Sequence, residues 1–275
     1  MTIQKLAAFT LDGVGGNPAG VMLTDTLPPK AEMQRIAAEV GFSETAFAAP
    51  NTGGFRVRYF APHGEVPFCG HATIALGAAL GEAHGPGRHA LTLNHAAITV
   101  EAYEEGGIWG ARLTSPGTSH RAVPQDVLAA TLTLFGLKDS DLAADLPPAL
   151  VNGGAEHLLL PLARAQLLRD MKYDFDAGAA FMQAHDLVTI NLIWRERANL
   201  IHARNAFAGH GVYEDPATGA AAAALAGYLR DTGVHAGPFE LIQGVDMGVP
   251  SRLRVAAQEG RAAPVEVAGL TRLLD

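Results

Sequence analysis

The 275-residue chain carries 20 Lys+Arg against 28 Asp+Glu, a net charge of −8, with 48% hydrophobic residues, 17% charged residues and one cysteine. That length suits one large domain or two small ones with a sizeable core, and a mean hydropathy of +0.13 argues against disorder. The acidic balance without Lys/Arg runs argues against nucleic-acid and anionic-membrane partners, and a single cysteine excludes an internal disulfide framework.

The opening MTIQKLAAFTLDG has neither the apolar core nor the cleavage site of a leader, and no run of about 18 apolar residues follows. A cytoplasmic protein is expected. Residues 3–10 read as a strand, Gly13 to Gly16 as a turn, and Val21 to Leu23 as a short strand. After Pro28-Pro29, Met33, Ile36, Ala37 and Val40 fall at i, i+3, i+4 and i+7, which predicts a helix over 30–40 stopped by Gly41. Residues 45–49 and 55–60 read as paired strands around Asn51-Thr52-Gly53-Gly54. From Gly70 to about Gly81 the chain is nearly all apolar, which predicts a helix buried on most sides.

Further strands are expected near 91–93, 97–102 and 108–113, and the polar stretch 115–124 reads as a linker. A helix at 124–136 precedes strands at 156–162, 187–194 and 199–204. Glu214-Asp215-Pro216-Ala217-Thr218-Gly219 then opens a second Ala-rich helix to about 230, and strands near 239–243, 252–256 and 264–268 finish the chain.

Two buried helices that open on glycine raise a chemical question. The first turn of a helix presents unpaired N–H groups and partial positive charge, and glycine lets an anion come close to them. His71 sits at the first such start, where an imidazole can polarise a carbonyl or pass a proton; Asp215 precedes the second. Glu44 lies between a helix end and an apolar strand, a partly desolvated position suited to acid–base work. A core histidine, a capping aspartate and a loop glutamate are the plain alternatives for these three. The eleven histidines are scattered, and no metal ligation is expected.

The motifs Gly16-Asn17-Pro18-Ala19-Gly20-Val21, Ser43-Glu44-Thr45-Ala46-Phe47, Arg58-Tyr59-Phe60-Ala61-Pro62 and Glu65-Val66-Pro67-Phe68-Cys69-Gly70-His71-Ala72-Thr73 follow one another in that order. With Glu214 to Gly219 and Gln243-Gly244-Val245-Asp246-Met247-Gly248, they make the chain resemble, from end to end, the phenazine-biosynthesis PhzF-like proteins, relatives of diaminopimelate epimerase. The resemblance implies an α/β (α+β) fold of two similar halves, each a curled, mostly antiparallel sheet around a central helix. The halves would be 1–114, completed by the last strand at about 258–275, and 115–257. It further implies a cofactor-independent isomerase or epimerase, homodimeric, with its active site between the halves and a small anionic substrate. The family's catalytic positions fall on Glu44, His71 and Asp215, and its substrate contacts on Asn17, Ser43, Gly70, Thr218, Gly219 and Ala220.

Departures from the pattern are informative. Ala220 stands where relatives carry serine, which removes a hydrogen bond worth about 0.5–1.5 kcal/mol. The segment Arg204-Asn205-Ala206-Phe207-Ala208-Gly209-His210 lacks the family's proline. Cys69 reads as a small buried hydrophobe, because a two-thiol epimerase would need a second cysteine. A non-catalytic small-ligand-binding protein on the same fold is the rival function.

Overall fold

The computed structural model describes residues 2–274. The chain divides into two compact units, Met1–Thr114 with Ala268–Asp275, and Ser115–Val267.

The first unit contains β1 (Gln4–Ala8), β2 (Asn17–Leu23), α1 (Lys30–Val40), β3 (Thr45–Asn51), β4 (Gly54–Ala61), β5 (Gly64–Val66), α2 (Gly70–His84), β6 (Gly87–Thr92), β7 (Ala97–Glu105) and β8 (Ile108–Thr114). β1 pairs antiparallel with β2, β2 parallel with β3, β3 antiparallel with β4, β4 parallel with β6, and β6–β7–β8 continue antiparallel. The last strand of the chain (Val265–Leu273) pairs with both β1 and β8, so the sheet curls shut. Inside it lies α2, whose residues His71 to Gly81 are all buried. A helix enclosed on every side cannot be amphipathic, which is why its sequence is apolar throughout. The shorter α1 covers the outside, packing Met33 and Ala37 on Met22, Phe47 and Phe60; Gly41 ends it at φ 71°, a left-handed cap.

The second unit contains β9 (Ser119–Ala122), α3 (Gln125–Phe135), β10 (Ala149–Asn152), β11 (Glu156–Pro161), α4 (Ala165–Arg169), α5 (Phe175–Ala184), β12 (Thr189–Arg197), β13 (Leu200–Phe207), β14 (Val212–Asp215), α6 (Gly219–Asp231), β15 (Phe239–Gln243) and β16 (Ser251–Ala257); the closing strand, which begins in this unit at Val265, is β17. β10–β11 antiparallel, β11–β12 parallel, β12–β13 antiparallel, β13–β15 parallel and β15–β16 antiparallel repeat the succession of the first unit. The two halves therefore share one plan, with α6 in the place of α2. On the opposite face of the second sheet, Val127, Phe135, Leu168 and Met182 from α3–α5 pack on Leu158, Leu160, Ile190 and Leu192.

Two expectations need correction. The stretch 115–124 is not a bare linker, because β9 pairs with β10 from Ser119↔Asn152 to Ala122↔Ala149. The final strand runs to Leu273 rather than ending at 268, since its later residues pair with β1.

Small residues on α2 let the sheet close around it. A Cβ on Gly77 would lie 2.6 Å from both Ala111 Cβ and Val100 Cγ2, short stiff groups on two strands. Gly77→Ala gains about 1 kcal/mol of helix propensity but overpacks the core at about 1–3 kcal/mol. A net loss of stability is expected, read as a lower midpoint in urea; a raised midpoint would show that the sheet yields freely.

Candidate active site

In the first unit the chain bends three candidate groups together. Glu44 sits between the Gly41 cap and β3, with its backbone oxygen held by the Gly20 N–H at 3.1 Å. That bond extends the parallel β2–β3 ladder by one residue. His71 is the second residue of α2 and Cys69 is the residue that caps it. Glu44 Oε2 lies 3.4 Å from His71 Nε2, Ser43 Oγ lies 3.3 Å from the same nitrogen, and Cys69 Sγ lies 3.3 Å from His71 Nδ1. His71 is 7% exposed and Cys69 9%. The Glu44 Oε2 atom is buried without a hydrogen-bond partner among the described residues. Its approach to the imidazole is an ion-pair distance without hydrogen-bond geometry.

The start of α2 is itself braced. Thr73 donates through Oγ1 to the Cys69 carbonyl at 2.6 Å, and its hydroxyl lies 2.7 Å from the buried Tyr59 hydroxyl. A Cβ on Gly70 would meet nothing within 4 Å, so packing does not explain this glycine. The backbone there is open to close approach. Asn17 is buried at the first position of β2, opposite Ala8.

The second unit builds a matching turn. Thr218 caps α6 and Gly219 and Ala220 are its first two residues, so Thr218, Gly219 and Ala220 correspond to Cys69, Gly70 and His71. Thr218 donates through Oγ1 to Asp215 Oδ2 at 2.5 Å. Gln243, fully buried at the end of β15, donates to the Asp215 carbonyl at 2.6 Å and accepts the Thr218 N–H at 3.3 Å. The next residue, Gly244, has φ 73°, and a Cβ there would fall 2.9 Å from the Pro216 carbonyl. Only glycine lets this loop press against the Asp215–Thr218 turn.

A buried polar row leads to the same turn. His157 Nδ1 lies 2.8 Å from Thr189 Oγ1, which donates to Asn205 Oδ1 at 2.8 Å. Asn205 in turn stands opposite Asp215 in the β13–β14 register. Because the threonine donates onward, it accepts from His157, which assigns the Nδ1–H tautomer. Burial pushes the His157 pKa down to about 3 from 6.5. The native state therefore holds it neutral, a contribution present above pH 6.5 and lost as pH falls toward 3. By NMR its ring signals should not titrate between pH 8 and 5; a midpoint near 6.5 would contradict the burial.

Gln243, Tyr59 and Thr73 fall inside the motifs that carry the family resemblance, but the sequence assigns them no role, and the polar row lies outside those motifs. For Gln243 a further signal is a glutamine closing the apolar strand FELIQ. Glu44, Ser43 and His71 are brought into contact with one another, and Asp215 with Thr218.

The family model for phenazine biosynthesis-like proteins (PhzC-PhzF) matches residues 6–272. The chain belongs to the PhzC-PhzF family. The trans-2,3-dihydro-3-hydroxyanthranilate isomerase of Pseudomonas fluorescens is 34% identical over 95% of this chain and 93% of its own length. An uncharacterised isomerase of Deinococcus radiodurans is 32% identical over 97% and 93%. Among solved structures, a PhzF-family phenazine biosynthesis protein of Bacillus anthracis superposes with a TM-score of 0.86 at 23% identity, covering 99% of this chain and 96% of that one. A hydroxyproline epimerase of Agrobacterium vitis shares the fold at a TM-score of 0.64 and 12% identity, over 99% and 88%. These relatives place the chain among the isomerases of the PhzC-PhzF family. No helix among the described residues is long and apolar enough to cross a membrane.

Proposed function

We propose that this isomerase moves a proton on a small carboxylate-bearing substrate, using its own acid–base groups and no cofactor. The observation that carries the proposal is the 3.4 Å approach of Glu44 to His71 at the start of α2. Glu44 takes a proton from a carbon beside a carbonyl or diene and returns it to another carbon or face. Such a C–H is a very weak acid, so charge developing on the substrate must be stabilised as it forms. His71 and the unpaired N–H groups of the α2 first turn would meet that charge. Asp215, held by Thr218, is the second acid–base group. The helix starts, Gly70 in the first unit and Thr218, Gly219 and Ala220 in the second, are each suited to hold an anionic group of the substrate, and Asn17 and Ser43 are further substrate contacts. With alanine at 220, the grip lacks one hydroxyl hydrogen bond.

The P. fluorescens relative supplies the first probe, trans-2,3-dihydro-3-hydroxyanthranilate. Incubated with the protein in heavy water, recovered material should carry deuterium at carbon. Tight binding of this and other small carboxylates with no exchange would instead favour the non-catalytic binding protein. Homodimer formation in the cytoplasm belongs to the same proposal, and a solution mass of one 28.7 kDa chain would remove the dimer.

A further inference from the structure

We infer that Glu44, Cys69 and His71 also form a binding site for a thiophilic divalent cation such as Zn²⁺, and that a bound ion silences the enzyme. The silencing rests on Glu44 being the proton carrier; the binding does not.

The three side chains offer a carboxylate oxygen, a sulfur and an imidazole nitrogen, all within 4.8 Å of one another. His71 Nε2 is 3.4 Å from Glu44 Oε2 and 3.9 Å from Cys69 Sγ. Tetrahedral zinc, with Zn–S of about 2.3 Å and Zn–N or Zn–O of about 2.0–2.2 Å, needs ligand atoms roughly 3.3–3.7 Å apart. Closing the trio onto an ion therefore leaves the Glu44–His71 pair in place and brings Cys69 Sγ, now 3.3 Å from His71 Nδ1 and within 4.8 Å of Glu44 Oε2, toward Nε2 and Oε2 by a side-chain shift on the order of 1 Å. Two of the ligands are fixed by the rigid first turn of α2. The third, Glu44 Oε2, is buried without a hydrogen-bond partner among the described residues, and coordination would supply one.

The donor set selects the metal. Sulfur and imidazole favour Zn²⁺, Co²⁺ or Cd²⁺, whereas Mg²⁺ and Ca²⁺ want oxygen ligands throughout. Binding would deprotonate the thiol, its proton passing to solvent. Three protein ligands leave a fourth position for water. An ion held there occupies the carboxylate oxygen that must accept the substrate proton and the imidazole nitrogen beside it. Cys69, which the isomerisation does not use, thereby acquires a role. The spacing of 44, 69 and 71 matches no zinc motif, because the ligands come from a strand entry and a helix start that only folding joins.

Titration of chelator-treated protein with Co²⁺ tests the site. One equivalent should produce a near-ultraviolet thiolate-to-cobalt charge-transfer band with the visible bands of tetrahedral Co²⁺. Zn²⁺ should abolish both, and millimolar Mg²⁺ should change neither. Cys69→Ser should lose the charge-transfer band, and Glu44→Gln should bind Co²⁺ at least about tenfold more weakly. Absence of the band from the unmutated protein overturns the site, and that spectrum decides alone if a variant fails to fold. Unchanged affinity in Glu44→Gln, or an unchanged band in Cys69→Ser, overturns it equally. Saturating Zn²⁺ should stop deuterium exchange, and chelator should restore it. Exchange that persists with the ion spectroscopically bound would overturn the silencing and the role of Glu44 together, leaving the metal site standing.

Discussion

Replacing Glu44 by glutamine is expected to slow substrate proton exchange by about 100- to 10,000-fold while leaving substrate affinity nearly unchanged. Glutamine keeps the volume and one oxygen of the side chain but cannot carry a proton. The neighbours that would hold the substrate are untouched, since Ser43 and His71 keep their own 3.3 Å contact. The loss should therefore fall on kcat rather than KM, the pattern of a group acting in the transition state. Single-turnover exchange in heavy water, together with ligand binding by calorimetry, separates the two quantities. A variant that exchanges at more than about a tenth of the unmutated rate would remove Glu44 from its role. Equal losses from affinity and rate would make it a binding residue instead.

The second large effect concerns stability and arises one residue before Asp215. Arg204 on β13 grips Glu214 on β14 through two bonds, Nε to Oε1 at 2.9 Å and Nη2 to Oε2 at 2.5 Å. Both side chains are buried, at 10% and 3% exposure. The same guanidinium donates to the backbone carbonyls of Arg169 and Met171, which ties the end of α4 to the sheet. Glu214→Gln leaves that buried cation only the more distant Asp246, whose Oδ2 lies 3.9 Å from Nε, as counter-charge, and since breaking a buried pair outright costs about 3–5 kcal/mol, a loss toward the lower end of that range is expected. The urea midpoint should fall without a change in slope. A paired replacement, Arg204→Met with Glu214→Met, removes both charges and should recover part of the loss. Recovery stays partial because the carbonyls of residues 169 and 171 lose their donor. A single-variant loss below about 1 kcal/mol would show that water reaches the pair.

The difference between these two sites explains what could be read from the chain beforehand. The helices α1, α2 and α6 were legible because their signals are local: a 3.6-residue stripe closed by Gly41, and two Ala-rich runs opened by glycine. The candidate residues Glu44, His71 and Asp215 were legible chiefly through motif resemblance, since nothing in their own spacing sets them above other polar residues. What stayed hidden depends on register. The strand SHRA of β9 has no apolar alternation and exists because β10 supplies its hydrogen bonds. The Arg204–Glu214 pair needs the β13–β14 alignment of Ala206 with Glu214 to bring the two residues together. Gln243 reaches the Asp215 turn across 28 residues of chain. The helix α5 differs in carrying a local signal, the Asp174 cap, whose side chain accepts from the Ala177 N–H at 2.8 Å.

The most direct test is a crystal structure of the protein with a small carboxylate that resembles its substrate. The carboxylate should lie against the backbone N–H groups at Gly70–His71, with a ligand carbon about 3–3.5 Å from a Glu44 oxygen. A ligand seated elsewhere, with Glu44 turned to bulk water, would contradict the proposal and leave only the fold.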